Sequence, residues 1–244
     1  MIIRVFIPVY NPDKVALKQT LDSLSFSYCG NVGLAITVVD NCSDVVVSEM
    51  LAGNSCNLIR NDTNLGRIQN WNKCLEIFRR EARDNDVMKF LFVGDTLEPE
   101  CLSMQSQIMD RGFDVVSSAH HVNPFRGDSY VMNHSDGGDM IITAKEAVVL
   151  SQIKGNWLAG CMACPMFGAD VLGDIEFETS MSWASDWKFW TDLMARAKSI
   201  YYMDKPLVNF NAQHRAHFLA TQSEIQKQEE DFMKGYLSEI SKAL

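Results

Sequence analysis

The run VMKFLFVGDTLEP, positions 87–99, is an almost wholly apolar stretch that breaks at Gly94 and presents Asp95 and Thr96 at its end. A short apolar run closed by turn chemistry reads as a buried strand. Leu97, Glu98 and Pro99 then open a helix predicted over 98–110. An acid at a strand end is, taken alone, most often a turn residue or a helix cap. Its meaning depends on what stands at the ends of the other strands.

The stretch 2–9, IIRVFIPV, is β-rich and closes on Tyr10, Asn11, Pro12 and Asp13. Asn11 is suited to cap a helix with Pro12 at its first position. Val15, Leu17, Leu21 and Leu24 follow at roughly helical spacing. LAITVVD (34–40) and NLIRN (57–61) are the second and third strands. Between 64 and 82, Leu65, Ile68, Trp71 or Asn72, Leu75 and Phe78 mark one face of a helix. After the 87–93 strand and the 98–110 helix, FDVVSSA (113–119) is a fifth strand.

This alternation signals an α/β chain whose central sheet is mostly parallel, built from right-handed crossovers and flanked by helices. Ligands of such sheets sit outside the carboxyl ends of the strands. Tyr10 with Asn11, Asp40 with Asn41, and Gly94 with Asp95 all fall at that edge. Each pair alone reads as a capped turn, and their coincidence favours a site.

From 120 to 160 the alternation fades into Gly-, Asn-, Asp- and His-rich loops with short strands. AKEAVVLSQI is a short helix, and the small, apolar run from 155 to 172 reads as a loop and strand lining a cleft. SWASDWKFWTDLMARA (182–197) is a helix with Trp183, Trp187, Trp190 and Leu193 as its apolar members. SIYYMD is a strand, and the C-terminal 221–244 an amphipathic helix. No Pro- or Ser-rich linker interrupts the 244 residues, so one domain is expected. Its 1–119 half is nucleotide-binding in style, and its 120–220 half faces a second ligand.

With 47% hydrophobic and 22% charged residues, the chain has the balance of a globular domain with a full core. The formal charge of -9 disfavours nucleic acid, whose phosphates need a basic footprint. Seven scattered cysteines read as reduced thiols of a cytoplasmic protein. The sequence shows no leader pattern and no membrane-length apolar run, so the expectation is a soluble protein, at most peripheral at the inner membrane face.

VFIPVYNP, ITVVDNCSD, NLGRIQNWNKCLE, FLFVGDTLEPECL and SDWKFW, in this order, resemble the family 2 glycosyltransferases of GT-A fold over about residues 3 to 215. The resemblance implies an inverting transferase that moves a sugar from a nucleotide sugar, UDP foremost, to a saccharide or lipid-linked acceptor. It places Pro8, Tyr10 and Asn11 near the nucleotide base and gives Asp40 a hydrogen bond to it. Asn64, Gly66 and Asn70 match the turn near the donor. Asp186 matches the acid that takes the acceptor's proton. The family's metal-binding acid cluster is reduced here to Asp95, with Gly94 where a carboxylate commonly stands. Asp95 is thus the candidate ligand for Mg²⁺ or Mn²⁺, and His214, beside Arg215 and His217, lies where the family often carries a phosphate-side His or Arg.

These implied roles suit the chemistry. Loss of a nucleoside diphosphate builds negative charge that a divalent ion offsets. The attacking hydroxyl must shed a proton to a carboxylate on the far side of the ring, which produces inversion. Two alternatives remain. A nucleotidyltransferase shares the sheet, but PVYNPDKVALK lacks the Gly-rich basic loop that holds a triphosphate. A catalytically degenerate sugar-nucleotide binder is compatible with the missing acid at 94. Cys161 and Cys164 read as small buried residues, His120 and His121 as an exposed loop pair, and the charges from Gln226 to Asp231 as a solvated helix face.

Overall fold

The computed structural model describes residues 1–27, 32–155, 161–212 and 223–244. In chain order the elements begin with β1 (Ile2–Val9), α1 (Lys14–Phe26), β2 (Gly33–Asp40), α2 (Val47–Met50), β3 (Asn57–Arg60) and α3 (Arg67–Glu81). Next come β4 (Val87–Phe90), β5 (Thr96–Leu97), α4 (Cys101–Met109), β6 (Val115–Asn123), β7 (Tyr130–Met132) and β8 (Met140–Ile142). The chain continues through α5 (Ala144–Lys154), β9 (Met166–Gly168), α6 (Ala169–Leu172), α7 (Ser185–Arg196) and β10 (Ile200–Asn211) to α8 (Ser223–Ala243).

Among the described residues the strands form one sheet in the order β3-β2-β1-β4-β9-β6-β10-β5, with β7 on β6 and β8 on β10. β1 runs parallel to β2 and β4, and β2 to β3. β9 is antiparallel to both β4 and β6, which restores the direction of β6 and its parallel neighbour β10. The ends of β1, β2, β3, β4, β6 and β10 therefore all reach one edge. The expectation of a mostly parallel sheet flanked by helices holds, and strands from both halves of the chain share it.

Helices cover both faces. Leu17, Leu21 and Leu24 of α1 and Leu102 of α4 pack on Ile3, Val5 and Ile7. On the other face Leu75 and Phe78 of α3 and Phe189 and Trp190 of α7 meet Phe6, Phe90 and Phe167. Each fully buried side chain of this size contributes about 1.5–3 kcal/mol. The rings of Phe177 and Phe189 stack at 4.0 Å, tying the segment before α7 to the core.

Several boundaries differ from those predicted. Asp13, not Asn11, caps α1, accepting the Ala16 N–H at 2.8 Å. Asn11 is held at φ 44 and bonds Asp44 instead. α3 starts at Arg67 rather than 64, since Gly66 at φ 80 stops the helix from extending backward. The strand at 87–93 ends at Phe90, α4 spans only Cys101–Met109 and α7 begins at Ser185, leaving Trp183 ahead of it. β6 runs on to Asn123, so His120 is a buried strand residue and not part of an exposed loop pair. β10 passes through Pro206 because bulges on either side absorb the missing N–H. No described helix is long and apolar enough to cross a membrane.

Candidate functional site at the carboxyl edge of the sheet

Val9 and Asp40 are register partners at the ends of β1 and β2, so the turns that follow them meet. Asn11 donates its N–H to Ser43 Oγ at 2.8 Å and accepts the Asp44 N–H at 2.7 Å. Pro8 is buried, while the Tyr10 ring is 51% exposed and open to a ligand. Asp40 is fully buried: its carboxylate accepts the Ser43 N–H at 3.0 Å and a guanidinium N–H of Arg60. Arg60 also reaches the Ser43 carbonyl at 2.8 Å, and its side chain is half-exposed.

Asparagine side chains join these turns to α3. Asn41 donates to Asn64 Oδ1 at 2.8 Å and accepts from Leu65 N at 2.9 Å and Asn61 Nδ2 at 3.1 Å. Asn61 also donates to Asn70 Oδ1 at 2.9 Å, and Asn70 to the Val39 carbonyl at 3.2 Å. An amide carries donor and acceptor together, so a chain of amides satisfies several turn peptides in little space. The fold thus brings Pro8, Tyr10, Asn11, Asp40, Asn64, Gly66 and Asn70 together. Asn41 was placed at this edge by the sequence without a role of its own, while Asn61 and Arg60 were not among the sequence candidates. Their signal was position: each stands at or just beyond the end of a strand whose neighbour carried a candidate.

Past β4 the chain turns at Gly94, whose φ of 92 lies in the left-handed region. Glycine alone adopts this at no steric cost, which accounts physically for the absent acid at that position. Thr20 of α1 staples the turn: its hydroxyl accepts the Gly94 N–H at 3.0 Å and lies 2.9 Å from the Asp95 carbonyl. Asp95 is fully buried, and its Oδ1 accepts the Asn211 N–H at 3.0 Å from the end of β10. Among the described residues no group of three or more His, Cys, Asp or Glu is placed to hold a metal ion. One carboxylate still fits the mode in which a divalent ion takes most of its oxygens from phosphates and water. His214, Arg215 and His217 lie outside the described residues.

Asp186 is the second residue of α7, half-buried, with Oδ1 accepting the Trp187 N–H at 2.8 Å. The segment that aims this helix has little regular structure between Gly173 and Ala184, and α3 holds it along its length. Arg79 donates to the Gly173 carbonyl at 2.6 Å and also to that of Ile175. Asn72 pairs with Phe177 through both backbone groups, at 2.8 and 2.9 Å. Arg67, stacked 5.0 Å over the Trp71 ring, donates to the Ser182 carbonyl. The helix that follows the Asn64–Gly66 turn therefore also sets the approach to Asp186.

Nearby on β6, burial, aided by the neighbouring His134 and His121, lowers the pKa of His120 to about 4. Lys89, fully buried in β4, donates to Gln105 Oε1 at 2.8 Å and to the Cys164 carbonyl at 3.1 Å. Cys161 and Cys164 are buried, as expected of small residues on an apolar segment.

No family model matches the chain, and no curated protein matches it. Solved structures do. TarS from S. aureus superposes with a TM-score of 0.69 at 18% identity, over 86% of this chain and 37% of TarS. TarS 1–349 in complex with UDP gives 0.67 at 18% identity, over 86% of this chain and 60% of that one. Its complex with UDP-GlcNAc gives 0.68 at 19%, over 86% and 58%. The chain thus spans between 37% and 60% of the length of these structures. Likeness at this identity establishes the fold alone: the chain shares with the TarS structures an α/β fold, here a ten-stranded sheet among the described residues, flanked by helices.

Proposed function

We propose that the chain is a glycosyltransferase that binds a nucleotide sugar, probed first as a UDP-sugar, at the carboxyl edge of its sheet and passes the sugar to a saccharide or lipid-linked acceptor with inversion. One observation carries this reading: turns from β1, β2 and β4 converge at that edge, in a fold whose neighbours were solved with UDP and UDP-GlcNAc.

In this reading the Tyr10 ring faces the base, and Asp40, held by Arg60, supplies the polar contact that selects it. Asp186 takes the proton of the attacking hydroxyl as the bond to the anomeric carbon forms. That step leaves the nucleoside diphosphate on the opposite side of the ring, hence inversion. Asp95 is the proposed protein ligand of a divalent ion held mainly by the diphosphate, with His214 as a second candidate. When bound, such an ion offsets the leaving group's charge.

The test is a thermal-shift panel of UDP-, GDP-, dTDP- and CDP-sugars with and without Mn²⁺, followed by hydrolysis and transfer assays on the donors that bind. A donor at a hundred times its Kd raises stability by about 2.7 kcal/mol. Saturable binding without turnover would instead identify a degenerate binder, and no shift with any donor would overturn the reading.

A further inference from the structure

Glu229 lies on α8, in a run of charges of the kind that usually forms a solvated face. It is instead half-buried and turned toward the protein. One carboxylate oxygen accepts the Ser182 N–H at 2.8 Å, and the other accepts those of Trp183 at 2.8 Å and Ala184 at 2.6 Å. These three residues directly precede α7, whose second residue is Asp186. The carbonyl of Ser182 is held from the opposite side by Arg67 of α3.

Ala184 occupies the N-cap position of α7 and offers no side-chain acceptor there. Of the three donors only the Ala184 N–H belongs to the N-cap, while those of Ser182 and Trp183 lie on the approach. The carboxylate thus fixes both the approach and the first peptide and meets the favourable end of the dipole. A carboxylate presents two acceptor oxygens and no donor, which matches three converging N–H groups; an amide does not. Further contacts fix α8 against the same helix. Tyr236 donates to Asp192, Lys188 lies 4.9 Å over the Tyr236 ring, and Met233 and Leu237 are fully buried beside Met181 and Ala184.

We propose that Glu229 is the positioning residue of Asp186: from the C-terminal helix it fixes the peptides that set where that carboxylate stands. The proposal rests on Asp186 being the general base. Displacement of a catalytic group by about 1 Å can cost on the order of 100-fold in rate. Removing the grip therefore acts on turnover more than on donor binding.

The experiment compares the wild-type chain with Glu229→Gln, Glu229→Asp, Asp186→Asn and the Glu229→Gln/Asp186→Asn double variant. Hydrolysis of UDP-GlcNAc, UDP-glucose, UDP-galactose and GDP-mannose is measured, since water replaces an acceptor of unknown structure. UDP affinity and melting temperature are measured beside it. Glu229→Gln should lower kcat by about 10- to 100-fold, with UDP affinity within about twofold of wild type. It should cause no further loss in the Asp186→Asn background, because residues acting as a unit are not additive. Wild-type turnover in Glu229→Gln, or the same fold-loss in both backgrounds, overturns the proposal. If Glu229→Gln does not fold, Glu229→Asp, which keeps the charge but withdraws the oxygens by one methylene, is read by the same criteria. A wild type that binds these donors but turns over none overturns the transfer reading itself, and this proposal with it.

Discussion

Arg60, at the end of β3, donates to the carboxylate of Asp40, at the end of β2, and Asp40 in turn holds the Ser43 N–H at 3.0 Å. The acid is buried and the guanidinium half-exposed, so the pair reaches from the core to the surface at the carboxyl edge of the sheet. A residue that both shapes a turn and meets a ligand has two separable effects.

For Asp40 we expect Asp40→Ala to weaken UDP binding by about 1–3 kcal/mol, the cost of leaving a buried polar partner unsatisfied. It should also lower the melting temperature, because the Ser43 turn loses its acceptor. Calorimetric titration with UDP, GDP and dTDP checks the first effect. Affinity unchanged for all three would remove Asp40 from the site and leave only the turn.

Asn72 provides a test of the scaffold without touching the proposed chemistry. Replacing it by Ala deletes both bonds to the Phe177 backbone in a buried setting. We expect a loss of roughly 2–4 kcal/mol in urea unfolding, with UDP affinity retained at low temperature. A loss below about 0.5 kcal/mol would show that the 173–184 segment is held by its other contacts, the Arg79, Arg67 and Glu229 bonds and the Phe177–Phe189 stack.

The sequence carried the sheet and the donor-side turns because those signals are local: apolar strands, each followed by a polar turn. Asp40, Asn64 and Asn70 could be picked out by position, and the structure gathers them. The grip of α3 on 173–182 and of Glu229 on 182–184 was not legible, because its partners are far apart in the chain and polar residues on a helix read as solvated. Likewise His120 looked exposed because the strand carrying it continues past the point where apolar residues stop. The cap fell to Asp13 instead of Asn11 for a related reason. Both can cap, and Asn11 was drawn away by Asp44 from another turn.

His120 makes stability depend on pH. Its folded pKa of about 4 lies below the ordinary 6.5, so below pH 6.5 the unfolded chain binds a proton that the folded chain refuses. Stability is undiminished above pH 6.5 and falls as pH drops toward 4, by on the order of 2–3 kcal/mol. His134, whose pKa burial and Lys154 also lower, adds in the same direction. Urea unfolding at pH 4.5 and 7.5 should show a smaller difference in His120→Asn than in wild type. An equal difference would assign the acid sensitivity to other groups.

The proposed metal role rests on Asp95. Asp95→Asn keeps the shape and can still accept the Asn211 N–H, but it removes the charge. We expect a loss of turnover of about 10-fold or more, and donor binding that no longer improves with Mn²⁺. Wild-type activity that persists unchanged in EDTA would remove the metal role and leave Asp95 as the tie between the Gly94 turn and β10.

The last expectation separates catalysis from architecture at Asp186. Its Oδ1 accepts the Trp187 N–H, so the side chain already serves the start of α7. If it is also the base, its carboxylate acts mainly in the transition state. Asp186→Asn should then lower kcat by roughly 100- to 10,000-fold, while donor affinity stays near wild type. A purely architectural role predicts the reverse: a loss of about 0.5–2 kcal/mol in stability, with activity per folded molecule retained. Melting temperature and transfer rate measured on the same two proteins distinguish the outcomes. A variant that melts early yet transfers sugar at the wild-type rate would confine Asp186 to the helix and move the search for the base to the acids of the 128–139 loop. There Asp139 already accepts from the Tyr201 hydroxyl at 2.8 Å.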